Sequence, residues 1–434
     1  MNFILADIRD YLKENYDIAR SKMKSFVLAA PFWVLTAAVI VTSTGIGRYL
    51  FLTHNRYDQR MNVYWAQDSE TGYRQMSVYA RGTRPAGIRT PAVYIDTDNS
   101  LKRSDLILIR NSLQNSADAG RAAGAKGGLG QDGRPVGWED CFSSYLNGSV
   151  TQVVDAQSSY TFSQSTETNI IAIEGNFPAF HPFTYLNGGF LPEIPTDTRQ
   201  MVINDVLAWR LYKSYDVLGE RLELWGEQFT IIGVVSEPND RISRGNGTLD
   251  CRAYVYFSAM EAYAPLTDDT DNAGGNASAT PTPAAAAASA NRPTGNASQG
   301  ANGGNANGTQ QPSQTSVRPE MAILCYEAML PELVPGVGKT DMYSALPGYN
   351  PATPKFYVFS NTGRFNLLNT WHFMWPLGKT WGMLSPYEFP YWELTAQATS
   401  EHLFADVIVT GFGGILLFIG IVMAALRHRK MSRK

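Results

Sequence analysis

The sequence predicts an α+β extracytoplasmic domain, built as two mixed α/β subdomains and anchored by two transmembrane α-helices. Three observations predict it. Apolar runs cover residues 26–47 and 404–426, the long region between them alternates strand-like with helix-like runs, and Lys and Arg gather outside the two apolar runs. Each apolar run approaches the roughly 20 residues that a helix needs to cross ~30 Å of hydrocarbon. Backbone amides find no water in lipid, so a helix is the only single-segment solution. A cleaved leader fits the first run poorly, because the run is longer than such a core and no small-x-small site follows it.

Basic flanks stay cytoplasmic. Arg9, Lys13, Arg20, Lys22 and Lys24 precede the first span, and Arg427, Arg429, Lys430, Arg433 and Lys434 follow the second. Glu401 and Asp406 mark the other side of the second span, and Arg48 is the one contrary charge. Both tails (1–25 and 427–434) are therefore expected in the cytosol, with 48–403 outside. In the first tail Ile4, Ile8, Leu12 and Ala19 fall near helical spacing, which suits an amphipathic helix on the inner membrane surface, or a helical extension without a partner.

Past the first span, 61–67 and 73–82 read as strands, as does AVYIDT (92–97). Residues 101–114 read as a helix capped near Ser104, and 115–135, rich in Gly and Ala, as a mobile loop. Strands follow at VTQVVDA and NIIAIEG. From Arg199 the pattern sharpens: a strand at 201–203, a helix carrying Val206, Leu207, Leu211 and Tyr212, then RLELW and QFTIIGVV joined at Gly226-Glu227 as a hairpin. Residues 268–316 collapse into small and polar types that bury too little apolar area to offset ordering entropy, so disorder is expected. MAILCYEAM and KFYVFS resume the strands. Trp371, Trp375, Trp381, Trp392, Tyr387 and Tyr391 crowd 361–403, which reads as an aromatic collar at the membrane boundary or as a satellite core of the outer domain.

The net charge of -3 and scattered basic residues between the spans argue against nucleic acid as a partner. Cys141, Cys251 and Cys325 are too few for a disulfide framework. Cys251 and Cys325 flank the low-complexity insert and are the pair to test for a bridge, three small buried thiols being the other reading. GVGKT (336–340) and LGKT (377–380) lack the earlier glycine of a phosphate loop. His54, His181, His372, His402 and His428 show no metal spacing, and Glu237 with Asp240 reads as a solvated loop pair. No catalytic constellation, metal site or cofactor is expected. In the second span Thr410 and Gly414 stand four apart, a spacing that lets another helix approach, with Ala37, Ala38 and Thr42 of the first span as the candidate surface.

The run 201–238 resembles a signature of the MacB-like periplasmic core domain of FtsX-type ABC transporter permeases. Asn204, Ala208, Leu211, Asp216, Leu218, Gly219, Leu222, Phe229, Ile232, Gly233 and Val235 stand in the places of that pattern, with Gly226 at the hairpin turn. Upstream, Leu186, Gly188 and Gly189 match its preceding turn. These positions are structural, so the resemblance implies fold before activity. It implies a non-catalytic, permease-like subunit of an export or cell-envelope complex, in a two-span form. Its partners would be the membrane, a cytoplasmic ABC ATPase, and another permease subunit or further copies of itself. A free-standing anchored binding or scaffold protein is the alternative.

Overall fold

The computed structural model describes residues 13–23, 30–65, 72–80, 100–119, 129, 133, 135–154, 163–247, 250–265, 320–332, 336–350, 355–374 and 389–432. The strands are β1 (Gly72–Ala80), β2 (Glu139–Gln152), β3 (Ser165–Gly175), β4 (Thr184–Gly188), β5 (Gln200–Asn204), β6 (Arg221–Leu224), β7 (Glu227–Ser236), β8 (Arg252–Tyr256), β9 (Cys325–Glu332) and β10 (Phe356–Ser360). The helices are α1 (Ala30–His54), α2 (Met61–Trp65), α3 (Arg103–Ala119), α4 (Phe177–Phe180), α5 (Asp205–Tyr212), α6 (Arg241–Gly245), α7 (Phe257–Tyr263), α8 (Val337–Ala345), α9 (Leu367–Met374) and α10 (Tyr391–Ser432). Residues 13–23 are also helical. Residues 264–320 form a separate unit, nearly all of it outside the described residues, as is the expected disordered insert at 268–316.

One ten-stranded mixed sheet, in the order β10-β1-β9-β2-β3-β8-β5-β7-β4 with β6 pairing β2 and β7, runs through the region expected to hold two subdomains. It joins strands remote in sequence: β1 lies between β9 and β10, and β8 lies parallel to β3. Burial alternates along β6 and the start of β7, whereas β1, β5, β8 and β9 are buried at consecutive positions, so the core lies on both faces of the sheet. Met76, Val78, Ile170, Ile203, Leu222, Phe229, Val255 and Tyr326 are all buried.

Local chemistry sets the junctions. Asn204 closes β5 and caps α5: its side-chain oxygen accepts the Leu207 N–H at 3.0 Å, satisfying one of the unpaired donors of the first turn. The β6–β7 hairpin turns on Trp225 and Gly226, both at positive φ (57° and 80°). The loop is therefore one residue earlier than Gly226-Glu227. A two-residue hairpin loop with both centres left-handed matches strand twist, and Gly at the second centre adopts it without strain.

Three other expectations change. Met61–Trp65 is helical, because a single short apolar run does not distinguish helix from strand. The helix after β1 runs to Ala119, into the segment expected to be a loop. It starts at Arg103, one residue before Ser104, and the carboxylate of Asp105 in its first turn accepts the Lys102 N–H at 2.9 Å. The strand expected at 92–97 lies outside the described residues.

Candidate functional site

Two helices, α1 and α10, are long and apolar enough among the described residues to cross a membrane, and most of each apolar window is exposed. Trp33, Ile40, Phe51, Phe412, Ile415 and Phe418 all face outward, as lipid-facing side chains do. The pair runs antiparallel. A Cβ at Gly45 would overlap Thr410, one at Gly413 would meet the Thr42 nitrogen at 2.9 Å, and one at Gly420 would meet Leu35 at 2.7 Å. Leu35, Ala38, Thr42 and Gly45 repeat at three- and four-residue steps, as do Asp406, Thr410 and Gly413, with Gly420 seven residues further on. That 3.5-residue period is the spacing of helices that wrap around each other. Thr410 thus lies at the contact. Gly414 does not: it is exposed with open space beside it, and Gly413 is the small residue that admits α1. The spacing of four misidentified it because the contact face advances by three at that turn.

Just outside this contact the contrary charge finds its reason. Arg48 lies 3.5 Å from Asp406 and donates to His402 Nδ1 at 3.2 Å, tying the two helices at one level.

The helix α10 is 42 residues long, about 63 Å at 1.5 Å per residue, twice what the bilayer core needs. Its first three turns enter the α/β domain. Ala396 and Leu403 pack with Phe365, Tyr49 and Leu52. Glu393 is fully buried and receives Arg364 through two bonds, at 2.7 and 2.9 Å, while Tyr79 donates to it at 3.1 Å. Arg56, just beyond α1, pairs with Asp240 at 2.7 Å and donates to Thr399 and Ser243, both at 3.0 Å. Arg252 on β8 pairs with Glu237 at 2.8 Å and lies 3.8 Å from the centre of the Tyr391 ring. Tyr254 bridges Glu237 (2.7 Å) and Tyr391 (3.0 Å). Trp392 lies tilted against His181 with ring centres 4.5 Å apart, and His181 bonds the buried Glu327.

Burial alone would discharge Arg364, but Glu393 beside it more than offsets that and holds the guanidinium above its ordinary value. Two buried ion pairs, Arg364–Glu393 and Arg252–Glu237, and a third, Arg56–Asp240, whose carboxylate is partly exposed, therefore stitch β7, β8, α6 and the segments beside α1 and α9 to the outer end of α10. A buried pair contributes little net stability, yet breaking one strands a charge and costs about 3–5 kcal/mol. Such a seam fixes geometry. What it can do is move as one piece with the helices. Glu237 and Asp240, expected to be a solvated loop pair, belong to this seam.

The remaining expected positions serve the fold. Asn204 also donates to the Asp250 carbonyl at 2.8 Å. Asp216 accepts from Asn187 at 3.1 Å, and the Gly219 N–H donates to Ile231 at 2.8 Å. Leu222 and Phe229 face each other across the hairpin. Gly233 is bare because a Cβ there would overlap the Gly189 carbonyl oxygen. Of the expected collar, Trp392 is outer-domain core and Trp371 sits on α9 with its ring 5.3 Å from Phe404, while Trp375, Trp381 and Tyr387 lie outside the described residues. The suggested Cys251–Cys325 bridge is absent, and all three cysteines are free and buried. Cys325 begins β9 and Cys251 precedes β8, with β2 and β3 between those strands. Three strand spacings of about 4.8 Å exceed the reach of a disulfide.

The fold and seam define a membrane-anchored mixed α/β domain whose sheet is clasped to its anchors. Residues 98–293 match the family model of the MacB-like periplasmic core domain. Among solved structures, similarity extends to the periplasmic region of MacB from Actinobacillus actinomycetemcomitans (12% identity, 66% of this chain and 89% of that one, TM-score 0.32). It extends also to the extracellular domain of the noncanonic ABC-type transporter YknZ from Gram-positive bacteria (14%, 43% and 75%, 0.25). A domain of a putative permease protein from Porphyromonas gingivalis is similar too (15%, 45% and 68%, 0.22). No curated protein matches the sequence.

Proposed function

We propose that this chain is a non-catalytic, permease-like subunit of an ABC-type export or cell-envelope complex. Its outer domain binds a substrate or a partner protein, and its seam carries motion between that domain and the two spans. A cytoplasmic ATPase held by a partner supplies the energy. One observation carries this reading: α10 is a single helix from Glu393, buried in the seam, to the apolar stretch ending at Leu426. A rigid helix that begins inside the sheet domain cannot tilt in the bilayer without moving Arg364, Arg252 and Tyr79 with it.

The basic flanks support cytoplasmic termini and an extracytoplasmic sheet. A tag on the carboxyl terminus is expected to resist protease added to intact cells, and its digestion would reverse the topology. The subunit role is tested by purification in a mild detergent. An ATP-binding cassette protein is expected to accompany the chain; repeated recovery of the chain alone would sink the role and leave an anchored scaffold.

A further inference from the structure

We propose that α9 lies in the membrane interface on the sheet side of the bilayer, a third contact with lipid beside the two spans. Its height comes from its neighbours. Arg48 joins Asp406 and His402 where α1 and α10 leave the hydrocarbon, and Phe404 lies between those two. The segment that opens α9 sits at the same level: Tyr49 donates to the Phe365 carbonyl, and Phe365 packs with Leu403. Trp371 then reaches Phe404, the next residue of α10, with ring centres 5.3 Å apart. Phe365 and Trp371 thus meet α10 at neighbouring positions, so α9 crosses α10 rather than following it.

The exposed surface of α9 is two-sided. Leu367 is 57% exposed, Leu368 71% and Trp371 40%. At about 100° per residue these three share an arc of about 100°. Asn366, Asn369 and His372 are exposed on the remaining side, and the buried Thr370 turns to the protein. From Phe365 to Met374 the sequence has no Asp, Glu, Lys or Arg. The arginine before it, Arg364, is buried against Glu393.

Height, direction and continuity select lipid as the occupant of the apolar side. A short amphipathic helix lying along the bilayer surface sets Leu and Trp among the upper acyl chains and its polar side among the headgroups. The surface that α9 adds is continuous in level with the lipid-facing side of α1, where Leu50 and Phe51, within one turn of Arg48, are exposed. A soluble partner on this side of α9 would have to work its way between the domain and the headgroups.

Nitroxide labels on the full chain test this, in vesicles of phosphatidylcholine and phosphatidylglycerol. The three native cysteines are buried, so the label goes to an introduced one. At Leu368→Cys the ratio of collisions with oxygen to collisions with a water-soluble nickel chelate is expected to rise several-fold above that at Glu223→Cys, an exposed position on β6. It is expected to approach the ratio at Phe412→Cys in the span. A label at 368 that behaves like the one at 223 overturns the proposal. So does a label at 368 shielded from both quenchers, since protein, whether a later segment of this chain or a second copy, would then cover α9. Leu367→Cys gives the same reading should Leu368→Cys misfold by circular dichroism. Water at 412 as well as at 368 would overturn the interfacial helix together with the spans. No ATPase enters the measurement, so the subunit role is judged apart from it.

Discussion

At the scale of single residues, the seam is a set of charges that only the fold brings together. Arg56 meets Thr399 across 343 positions, and Tyr79 meets Glu393 across 314. No local spacing carries such a relation. The one signal present was a mismatch, an arginine opening the apolar strand RAYVY and a glutamate closing QFTIIGVVSE, and each was the other's partner. Arg364→Met is expected to lower stability by about 3–5 kcal/mol in denaturant unfolding, because it leaves the buried Glu393 without its counter-charge. Replacing both, as Arg364→Met with Glu393→Leu, is expected to recover most of that loss; an equal loss in the double variant would show that the pair was not the cause. The buried phenols give a pH dependence of definite sign. Burial raises Tyr79, Tyr254 and Tyr326 well above the ordinary tyrosine value, and it pushes Tyr256 up to about 12. Their folded values exceed the unfolded one, so their contribution is complete below about pH 10 and is lost as pH rises beyond it. Tyrosinate absorbance near 295 nm is expected to rise in step with unfolding for these residues, not before it. Cys141 and Cys325, each 1% exposed, have thiols raised by burial and then by Glu327. They are expected to take up a maleimide only once the chain unfolds.

Elements were legible where one local pattern sufficed. The β6–β7 hairpin, α5 and both membrane helices lie where alternation, helical spacing and apolar length place them. Met61–Trp65 and the end of α3 escaped because tertiary packing overrides short-range pattern. The helix pair shows how near the sequence comes. Small residues marked the right faces, yet Gly413 and Gly414 differ by 100° around the helix, which composition does not resolve. Gly413→Leu is therefore expected to drive α1 and α10 apart. Gly414→Leu, pointing into open space, is expected to leave them together. Cross-linking of cysteines placed at Leu35 and Gly420 reads the difference, and equal behaviour of the two variants would refute the contact. The hairpin offers a smaller test. Gly226→Ala, at φ 80°, is expected to cost about 1 kcal/mol, seen as a shifted unfolding midpoint.

For the whole molecule, the sequence showed the two anchors and the mixed α/β class, and the 201–238 signature pointed to the family. It did not show that the anchors and the sheet share one buried network, since that follows from where α10 begins. If they do, the two parts open together and not as separate cooperative units. Gly413 lies 20 residues from Glu393 along α10, about 30 Å along the helix axis. A bulky side chain there touches nothing in the sheet. Forcing α1 away would nonetheless withdraw Arg56, which follows α1 directly, from Asp240, Thr399 and Ser243. Amide exchange at Arg252, Tyr254 and the β7 residues is thus expected to quicken in Gly413→Leu and to stay unchanged in Gly414→Leu. Exchange confined to the spans in both variants would mean that the seam is a static joint, and motion of the helices would then have no route into the outer domain.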